Sequence, residues 1–286
     1  MKSTYRVGLF TQLAALGFAC AAAANGLFAA EPHPLVVVQK GTLPVILSAP
    51  HGGTLAIPDA EPRRGEGLAR KPGGFVVARD GGTEELAAAV SAALEKRTRA
   101  KPHSVVARSH RKYLDPNRKP AQAYESPAAK DVYDAYHNAL ADACRDVQNA
   151  HRAGLLIDLH GQGAAKDTVF RGTQNGVTVA RLRERFGDEA HTGENSLLGL
   201  LKSRGWKVHP DPYTGKEQAG FTGGHIVQRY GSHEFGIDAI QLELGGDYRS
   251  AGSRERVADQ LADAILDYSR RYLAWKPSAD AVPASE

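Results

Sequence analysis

The sequence has 286 residues, of which 42% are hydrophobic, 24% charged and 7% aromatic. This composition supports a sizeable buried core and excludes a disordered or fibrous chain, while the length suits one large domain or two small ones. The formal net charge is only +4, and Lys2 and Arg6 contribute to it. A nearly neutral chain without aromatic residues interleaved among its basic ones gives no reason to expect nucleic acid or an anionic membrane as a partner.

Residues 1–30 have the composition of a secretory signal peptide. Lys2 and Arg6 form a basic head, and residues 7–24 are mostly apolar and rich in alanine. Two polar residues interrupt this run and leave it short for a membrane anchor. We therefore expect residues 1–30 to be a cleaved signal peptide and the protein to be periplasmic or secreted, without stable membrane insertion. Lipid anchoring at Cys20 is a less favoured alternative, because the residues before it match a lipoprotein site poorly.

After this leader, short β-rich runs alternate with helical stretches. Residues 45–49 and 155–159 are apolar without alternation, which is typical of strands covered on both faces. The alternation predicts one α/β domain over residues 31–276, with a mixed, largely parallel sheet and helices on both faces. Residues 277–286, which combine Ala, Ser, Pro and acids, are predicted to be a disordered tail.

Two of the predicted helices have recognisable start signals. Thr83 is the expected N-cap of a helix over 84–97, and Ser126-Pro127 supplies an N-cap and a first-turn proline for a helix over 128–150. In chain order the predicted strands are 35–39, 45–49, 104–107, 155–159 and 239–244, and the predicted helices are 84–97, 128–150, 194–204 and 254–275.

Residues suited to metal chemistry lie at the ends of three predicted strands. His51 and His160 each follow a buried strand and precede glycine, and Glu243 interrupts the last apolar run. Because ligands bind beyond the carboxyl ends of the strands in an open α/β sheet, we expect these side chains to share one edge. Two imidazoles and one carboxylate, with a fourth position left for water, are the ligands of a catalytic zinc.

The carboxylate of such a site has several candidates. Asp80 lies just before the helix predicted at 84–97, and Glu84 and Glu85 are rivals that also suit the first turn of a helix. Asp158 precedes His160 by two residues on the same face of its strand. Asp158 is therefore a candidate to accept a hydrogen bond from the imidazole N–H of a metal ligand, although a solvated or packing role is equally open.

Two further segments could contact a substrate. Residues 109–118 carry basic residues around an Asp-Pro-Asn turn, which fits either a solvated loop or a fork of donors for a carboxylate. Residues 221–231 form a predicted glycine-rich loop before the last strand, which could close over a ligand.

The ordered motifs resemble the N-formylglutamate amidohydrolase family, a relative of the zinc carboxypeptidases. They are Ala-Pro-His-Gly-Gly at 49–53, Asp80 before Thr-Glu-Glu-Leu at 83–86, Arg-Lys-Tyr-Leu-Asp-Pro-Asn-Arg at 111–118, Asp-Leu-His-Gly at 158–161 and Gln-Leu-Glu-Leu at 241–244. The resemblance implies a zinc-carboxypeptidase/phosphorylase-hydrolase-like α/β fold with one zinc per chain at the sheet edge.

The resemblance also implies roles for individual residues. The metal ligands would be His51, Asp80 and His160, with Glu84 as the alternative third ligand. Glu243 would be the general base, and Arg111 would polarise the scissile carbonyl or help to bind the substrate carboxylate. A substrate carboxylate would be bound by Asn117 and Arg118, and the variable substrate loop would contribute His225, Arg229 and Tyr230.

These inferences predict an exported zinc-dependent amidohydrolase that acts on a carboxylate-bearing small molecule or peptide. N-acyl-glutamates, γ-glutamyl amides and cell-wall peptides are the candidate substrates. The alternative is a non-catalytic ligand-binding protein that has kept the fold. A phosphate-ester metallohydrolase is a further rival, but it would favour two metals and a denser cluster of Asp and His.

Overall fold

A computed structural model describes Met1 and residues 33–68, 74–214, 216–231 and 234–276. The chain divides into the units Met1–Glu31 and Pro32–Glu286, and all the elements below belong to the second. The signal peptide predicted at 1–30, apart from Met1, and the tail predicted at 277–286 lie outside the described residues. Among the helices of the described ranges, none combines the length and the apolar character needed to cross a bilayer.

One mixed sheet organises the described part of the chain. Its strands are β1 (Val36–Gln39), β2 (Val45–Ala49), β3 (His103–Ala107), β4 (Leu155–Gly161), β5 (Val169–Gly172), β6 (Val208–His209) and β7 (Asp238–Leu244). The strand order is β1-β3-β2-β4-β7-β5-β6. The four strands β3, β2, β4 and β7 are parallel, whereas β1 and β5 run antiparallel to their inner neighbours β3 and β7. The predicted mixed, largely parallel sheet is confirmed.

Helices cover both faces of this sheet, as predicted. One apolar core contains residues of α1, α6 and α9, and a second core on the opposite face contains residues of α3 and α7. The helices are α1 (Thr83–Thr98), α2 (Pro120–Ala123), α3 (Ala128–His151), α4 (Ala180–Phe186), α5 (Glu189–Thr192), α6 (Leu197–Ser203), α7 (His225–Tyr230), α8 (Gly246–Arg249) and α9 (Arg254–Tyr272), with a 3-10 helix at Val177–Val179.

Alternate residues of strand β4 serve the two cores. Leu155, Ile157 and Leu159 belong to the core of α1 and α9, while Leu156 belongs to the core of α3. Because side chains alternate along a strand, Asp158 and His160 share the face of Leu156. The strand is thus buried on both sides, which explains why its apolar run shows no alternation.

The structure corrects several element predictions. Gly82, with φ of 90°, caps α1, so Thr83 is its first helical residue and not its N-cap. Pro127 likewise takes the capping position of α3 that was expected of Ser126. Strands β5 and β6 were not predicted, since they have only four and two residues and no long apolar run. The loop predicted at 221–231 contains helix α7.

Candidate metal centre

Three side chains converge at the carboxyl edge of the central strands. His51 follows β2, His160 lies near the end of β4, and Asp80 precedes α1. The Nδ1 atoms of the two histidines are 3.1 Å apart, and each is 3.2 Å from Oδ2 of Asp80. Glu84, the rival third ligand, instead lies 3.8 Å from Arg108. The geometry therefore favours Asp80 over Glu84.

The triangle of ligand atoms fits a tetrahedral metal ion. Zinc binds imidazole nitrogen and carboxylate oxygen at about 2.0–2.2 Å, which places neighbouring ligands of a tetrahedron roughly 3.3 Å apart. The observed separations of 3.1 and 3.2 Å are close to that value. His51, Asp80 and His160 are all buried, and together they form the group of potential metal ligands found in the described residues.

Backbone contacts fix the position of Asp80. Its N–H donates to the carbonyl of His51 over 2.9 Å, and its own carbonyl accepts from Thr83 N and Thr83 Oγ1. Arg249 donates to the carbonyl of Gly81 from the other side. At Gly82 a Cβ would lie 2.2 Å from the carbonyl oxygen of Arg249, so this turn requires glycine both for its positive φ and for space. Arg249 was not identified from the sequence.

Carboxylates behind the two imidazoles orient their rings. Nε2 of His51 is 2.7 Å from Oδ1 of Asp115, and Nε2 of His160 is 2.8 Å from Oδ2 of Asp158. When Nε2–H donates to a carboxylate, Nδ1 carries no proton, and each ring directs the lone pair of Nδ1 towards the centre of the ligand triangle. The arrangement supports the open proposal for Asp158 and adds Asp115, which the sequence offered only as part of a turn.

Each of these carboxylates is itself held by further donors. Burial alone would raise the pKa of Asp115, but the charge of Arg111 and the contact with His51 outweigh it and hold the pKa well below its usual value. Asp158 accepts a hydrogen bond of 2.7 Å from Ser48 Oγ, which is also 2.7 Å from the hydroxyl of Tyr136. The buried charges behind the ligands therefore have partners.

Glu243 lies on the strand next to His160 and directly opposite it in the parallel register of β4 and β7. Its side chain is only 8% exposed. Burial raises the pKa of Glu243 to about 7, with the carboxylate of Asp80 adding to the effect and His160 opposing it. A carboxylate with a pKa near neutrality can both accept and return a proton at physiological pH.

Arg111 bridges two acidic side chains of the site. Its Nε and Nη2 lie 3.1 and 2.9 Å from Oδ2 of Asp115, and its Nη1 is 3.6 Å from Oδ1 of Asp80. Burial works against the charged form, but the two carboxylates outweigh it and raise the pKa of Arg111. Its guanidinium therefore stays charged between the metal-ligand triangle and the carboxylate behind His51.

Asn117 and Arg118 lie close to the same cluster. The side-chain oxygen of Asn117 accepts from Ile226 N over 2.8 Å, and its Nδ2 is 3.3 Å from Oε1 of Gln241. Arg118 donates to the carbonyl of Asn117 and places Nε 3.8 Å from Asp115. Asn117 thus ties the start of α7 to β7, while Arg118 adds a second guanidinium beside Arg111.

The three residues expected in the substrate loop occupy different environments. His225 begins α7, its N–H 3.4 Å from the carbonyl of Asn117. Arg229 is half-buried, with its guanidinium over the ring of Tyr230. Tyr230 has no exposed surface, and its hydroxyl donates to the carbonyl of His137 over 2.8 Å. Tyr230 is therefore a core residue in this structure, which corrects its expected substrate-binding role.

Comparison with known proteins finds a match to the family that the motifs resemble. The family model of N-formylglutamate amidohydrolase matches residues 126–248, which contain His160 and Glu243. The resemblance stated from the sequence is thus confirmed, and the match supports a hydrolase acting on amide bonds. No curated protein matches the sequence.

Two solved structures share the fold. An N-formylglutamate amidohydrolase from Ralstonia eutropha JMP134 is 17% identical with a TM-score of 0.53, over 82% of this chain and 98% of that one. A gene product of Agrobacterium tumefaciens is 16% identical with a TM-score of 0.52, over 83% of this chain and 95% of that one. At this identity the two structures support the α/β architecture and no finer property.

Proposed function

We propose that this chain is an exported zinc-dependent amidohydrolase that cleaves an amide bond in a carboxylate-bearing substrate. The observation that carries the proposal is the triangle formed by Nδ1 of His51, Nδ1 of His160 and Oδ2 of Asp80, with sides of 3.1 and 3.2 Å. Glu243 stands on the adjacent strand, opposite His160. The family match to an amidohydrolase agrees with this chemistry.

His51, Asp80 and His160 would hold the ion. When bound there, Zn²⁺ would act as a Lewis acid towards water and the amide carbonyl. Glu243, whose pKa is raised by burial to about 7, accepts the proton of the attacking water and later delivers it to the leaving nitrogen. Arg111 lies 3.6 Å from Asp80, and this nearby positive charge supports a role in stabilising the carbonyl oxygen as it becomes negative.

The cations beside the triangle support a substrate with a carboxylate. Arg111 and Arg118 both approach Asp115, and the side chain of Arg118 keeps 14% of its surface exposed. A guanidinium binds a carboxylate through paired hydrogen bonds. N-acyl-glutamates, γ-glutamyl amides and cell-wall peptides all carry such a group beside an amide bond.

Export and periplasmic or secreted location remain part of the proposal. They are supported by the basic head and apolar, alanine-rich run of residues 1–30. Sequencing the N-terminus of the protein recovered from culture fractions tests this point. Recovery from the cytoplasm with residues 1–30 still attached would contradict it.

Metal content and hydrolysis test the catalytic proposal on the full chain. We expect about one zinc per chain by mass spectrometry, and hydrolysis of at least one N-acyl-glutamate, γ-glutamyl amide or muropeptide that stops on chelation and returns with zinc. The variant Glu243→Gln should retain zinc and lose about 10²–10⁴-fold in kcat, because it cannot accept a proton. Glu85→Gln is the matched control, since Glu85 is an exposed acid on α1.

Two results would contradict this function. Activity that survives chelation would remove the metal from the reaction, and full activity of Glu243→Gln would remove the general base. Zinc binding without hydrolysis of any of the three amide classes would favour the alternative of a non-catalytic ligand-binding protein.

A further inference from the structure

A row of paired residues crosses the site-bearing edge of the sheet. His160 of β4 is paired with Glu243 of β7, Glu243 with Phe170 of β5, and Phe170 with His209 of β6. Directly paired residues on neighbouring strands project to the same face. Moving outward from the metal-ligand triangle, this face therefore presents the carboxylate of Glu243 and then the ring of Phe170.

Phe170 is the inner part of an aromatic wall, by which we mean Phe170, Phe221 and His209. The centroid of the Phe170 ring lies 5.1 Å from that of Phe221 and 5.7 Å from that of His209. Phe170 is 6% exposed, whereas Phe221 is half-buried. Phe221 therefore offers aromatic surface at this position, together with the half-buried ring of His209.

The loop that carries Phe221 is fixed on the same face of the sheet. Gly172 shares that face with Phe170, and a Cβ on Gly172 would lie 2.7 Å from the carbonyl oxygen of Phe221. Gln174 donates to the carbonyls of Thr222 and Gly223 over 3.1 and 2.6 Å. The close crossing over Gly172 and these hydrogen bonds fix the backbone beside Phe221, whose ring lies 5.1 Å from that of Phe170, the residue paired with Glu243.

Cations lie on the opposite side of the metal ligands. Arg111 and Arg118 approach Asp115, which contacts Nε2 of His51 at the end of β2. In the strand order β2-β4-β7-β5, His160 and Glu243 lie between His51, which contacts Asp115 of the positive cluster, and Phe170 of the aromatic wall. The positive cluster and the aromatic wall are thus attached to the candidate centre through different strands.

We propose that the preferred substrate carries a broad apolar or aromatic acyl group, which packs on Phe221, and an amine half with a carboxylate, which binds at Arg118. This inference rests on the proposed amidohydrolase function and narrows its substrate class. A formyl or acetyl group would leave the Phe221 ring uncovered, whereas a benzoyl group stacks on it and removes apolar area from water.

Paired substrates measure this preference. For the zinc-loaded full chain we expect kcat/KM for N-benzoyl-L-glutamate to exceed that for N-acetyl-L-glutamate by about tenfold, within the range that added apolar groups provide in a pocket. Phe221→Ala should abolish most of this ratio by lowering kcat/KM for the benzoyl substrate much more than for the acetyl substrate. Phe186→Ala is the matched control, because Phe186 is a 44% exposed phenylalanine on α4.

Binding to the zinc-loaded variant Glu243→Gln separates this inference from the proposed function. Calorimetry should give a Kd about tenfold lower for the benzoyl than for the acetyl compound, and Phe221→Ala in the same background should equalise the two. Equal affinities, equal effects of Phe221→Ala on both compounds, or no binding of either would overturn the aromatic wall as a subsite. Preferential binding without turnover in the unmutated chain would support the subsite and count against the proposed hydrolysis alone.

Discussion

Gln241 donates its side-chain amide to Oε1 of Glu243 over 2.8 Å, from two positions earlier on the same strand. The orientation of that amide is fixed from the other side, because its oxygen accepts from Gly224 N at 2.8 Å and faces Asn117 Nδ2 at 3.3 Å. A donor is thereby directed at the candidate base. Through Asn117 the same hydrogen bonds reach the loop that carries Asp115.

We expect Gln241→Met to lower kcat by about 10- to 100-fold with little change in KM or zinc content, because it preserves volume but removes the donor that positions Glu243. Steady-state kinetics and metal analysis of the purified variant check this. Gln39→Met is the control, since Gln39 also donates its amide internally, to Ser91, but on the far strand β1. A matching loss in both variants would show that Gln241 acts only on stability.

Zinc affinity should depend on the carboxylate behind His160. Asp158→Asn removes the charge that orients the ring, and we expect zinc binding to weaken by about 10- to 100-fold. Ser48→Ala deletes the 2.7 Å hydrogen bond to Asp158 and should have a smaller effect in the same direction. Competition with a fluorescent chelator measures both. Asp146→Asn, on the exposed face of α3, should leave the affinity unchanged, and a result in which all three variants bind zinc equally well would contradict the role of Asp158.

Gly224 should tolerate no side chain. A Cβ there would lie 2.2 Å from Nδ2 of Asn117, so Gly224→Ala must displace the amide that ties α7 to β7. We expect a loss of about 1–3 kcal/mol in the free energy of unfolding, the usual cost of overpacking. Gly163→Ala is the control, because nothing lies within 4 Å of its Cβ position. Denaturant unfolding measures the free energy of unfolding of both variants. Equal values would contradict the prediction, because they would mean that the loop around Gly224 accommodates a methyl group without destabilising the fold.

His137 should contribute a part of the stability of the fold that is lost in mild acid. Burial of this ring among Tyr230 and His225 lowers its pKa to about 3, with the burial itself as the main cause. Between pH 6.5 and 3 the unfolded chain therefore binds a proton that the folded chain does not, so the unfolding free energy decreases as the pH is lowered. The contribution approaches 1.4 kcal/mol per pH unit.

Unfolding curves at pH 7 and pH 5 test this, because the difference between the two unfolding free energies can be compared among variants. His137→Gln should lose stability at both values but show a smaller decrease between them than the unmutated chain. His151→Gln, which changes a histidine bonded only to the carbonyl of Thr42, should keep the full decrease. Parallel pH dependence in the unmutated chain and His137→Gln would show that the ring is not neutral in the fold.

Two of the three candidate metal ligands could be predicted from the sequence because they depend on the sheet alone. His51 and His160 follow apolar strands, and parallel strands bring their carboxyl ends to one edge whatever the loops do. Asp80 needs more than this, since its place depends on its N–H bond to the His51 carbonyl and on the positive φ of Gly82. Local sequence left Asp80, Glu84 and Glu85 as alternatives for that reason.

The aromatic side of the site could not be predicted from the sequence. Phe170 lies on a four-residue strand that also carries Arg171, so no apolar run marks it. Arg171 is buried there because Glu217, from a distant loop, pairs with it at 3.1 Å. Tyr230 was misplaced for a related reason, since only the packing of α7 on α3 shows that its hydroxyl points inward. Contacts between distant segments decide these positions.

Because alternate residues of β4 face two different cores, the strand can tolerate only some insertions. Insertion of a single residue ahead of Asp158 would exchange the two faces of the strand, so that Leu159 would take the place of the candidate ligand His160 and Asp158 would take the place of Leu159 in the core of α1 and α9. Insertion of an even number of residues would leave the later side chains of β4 on their original faces and would only shift them along the strand. Insertions and deletions should therefore be tolerated in the connections between strands. Within β4 and β7, an insertion or deletion of an odd number of residues should not occur in a chain that keeps the proposed activity.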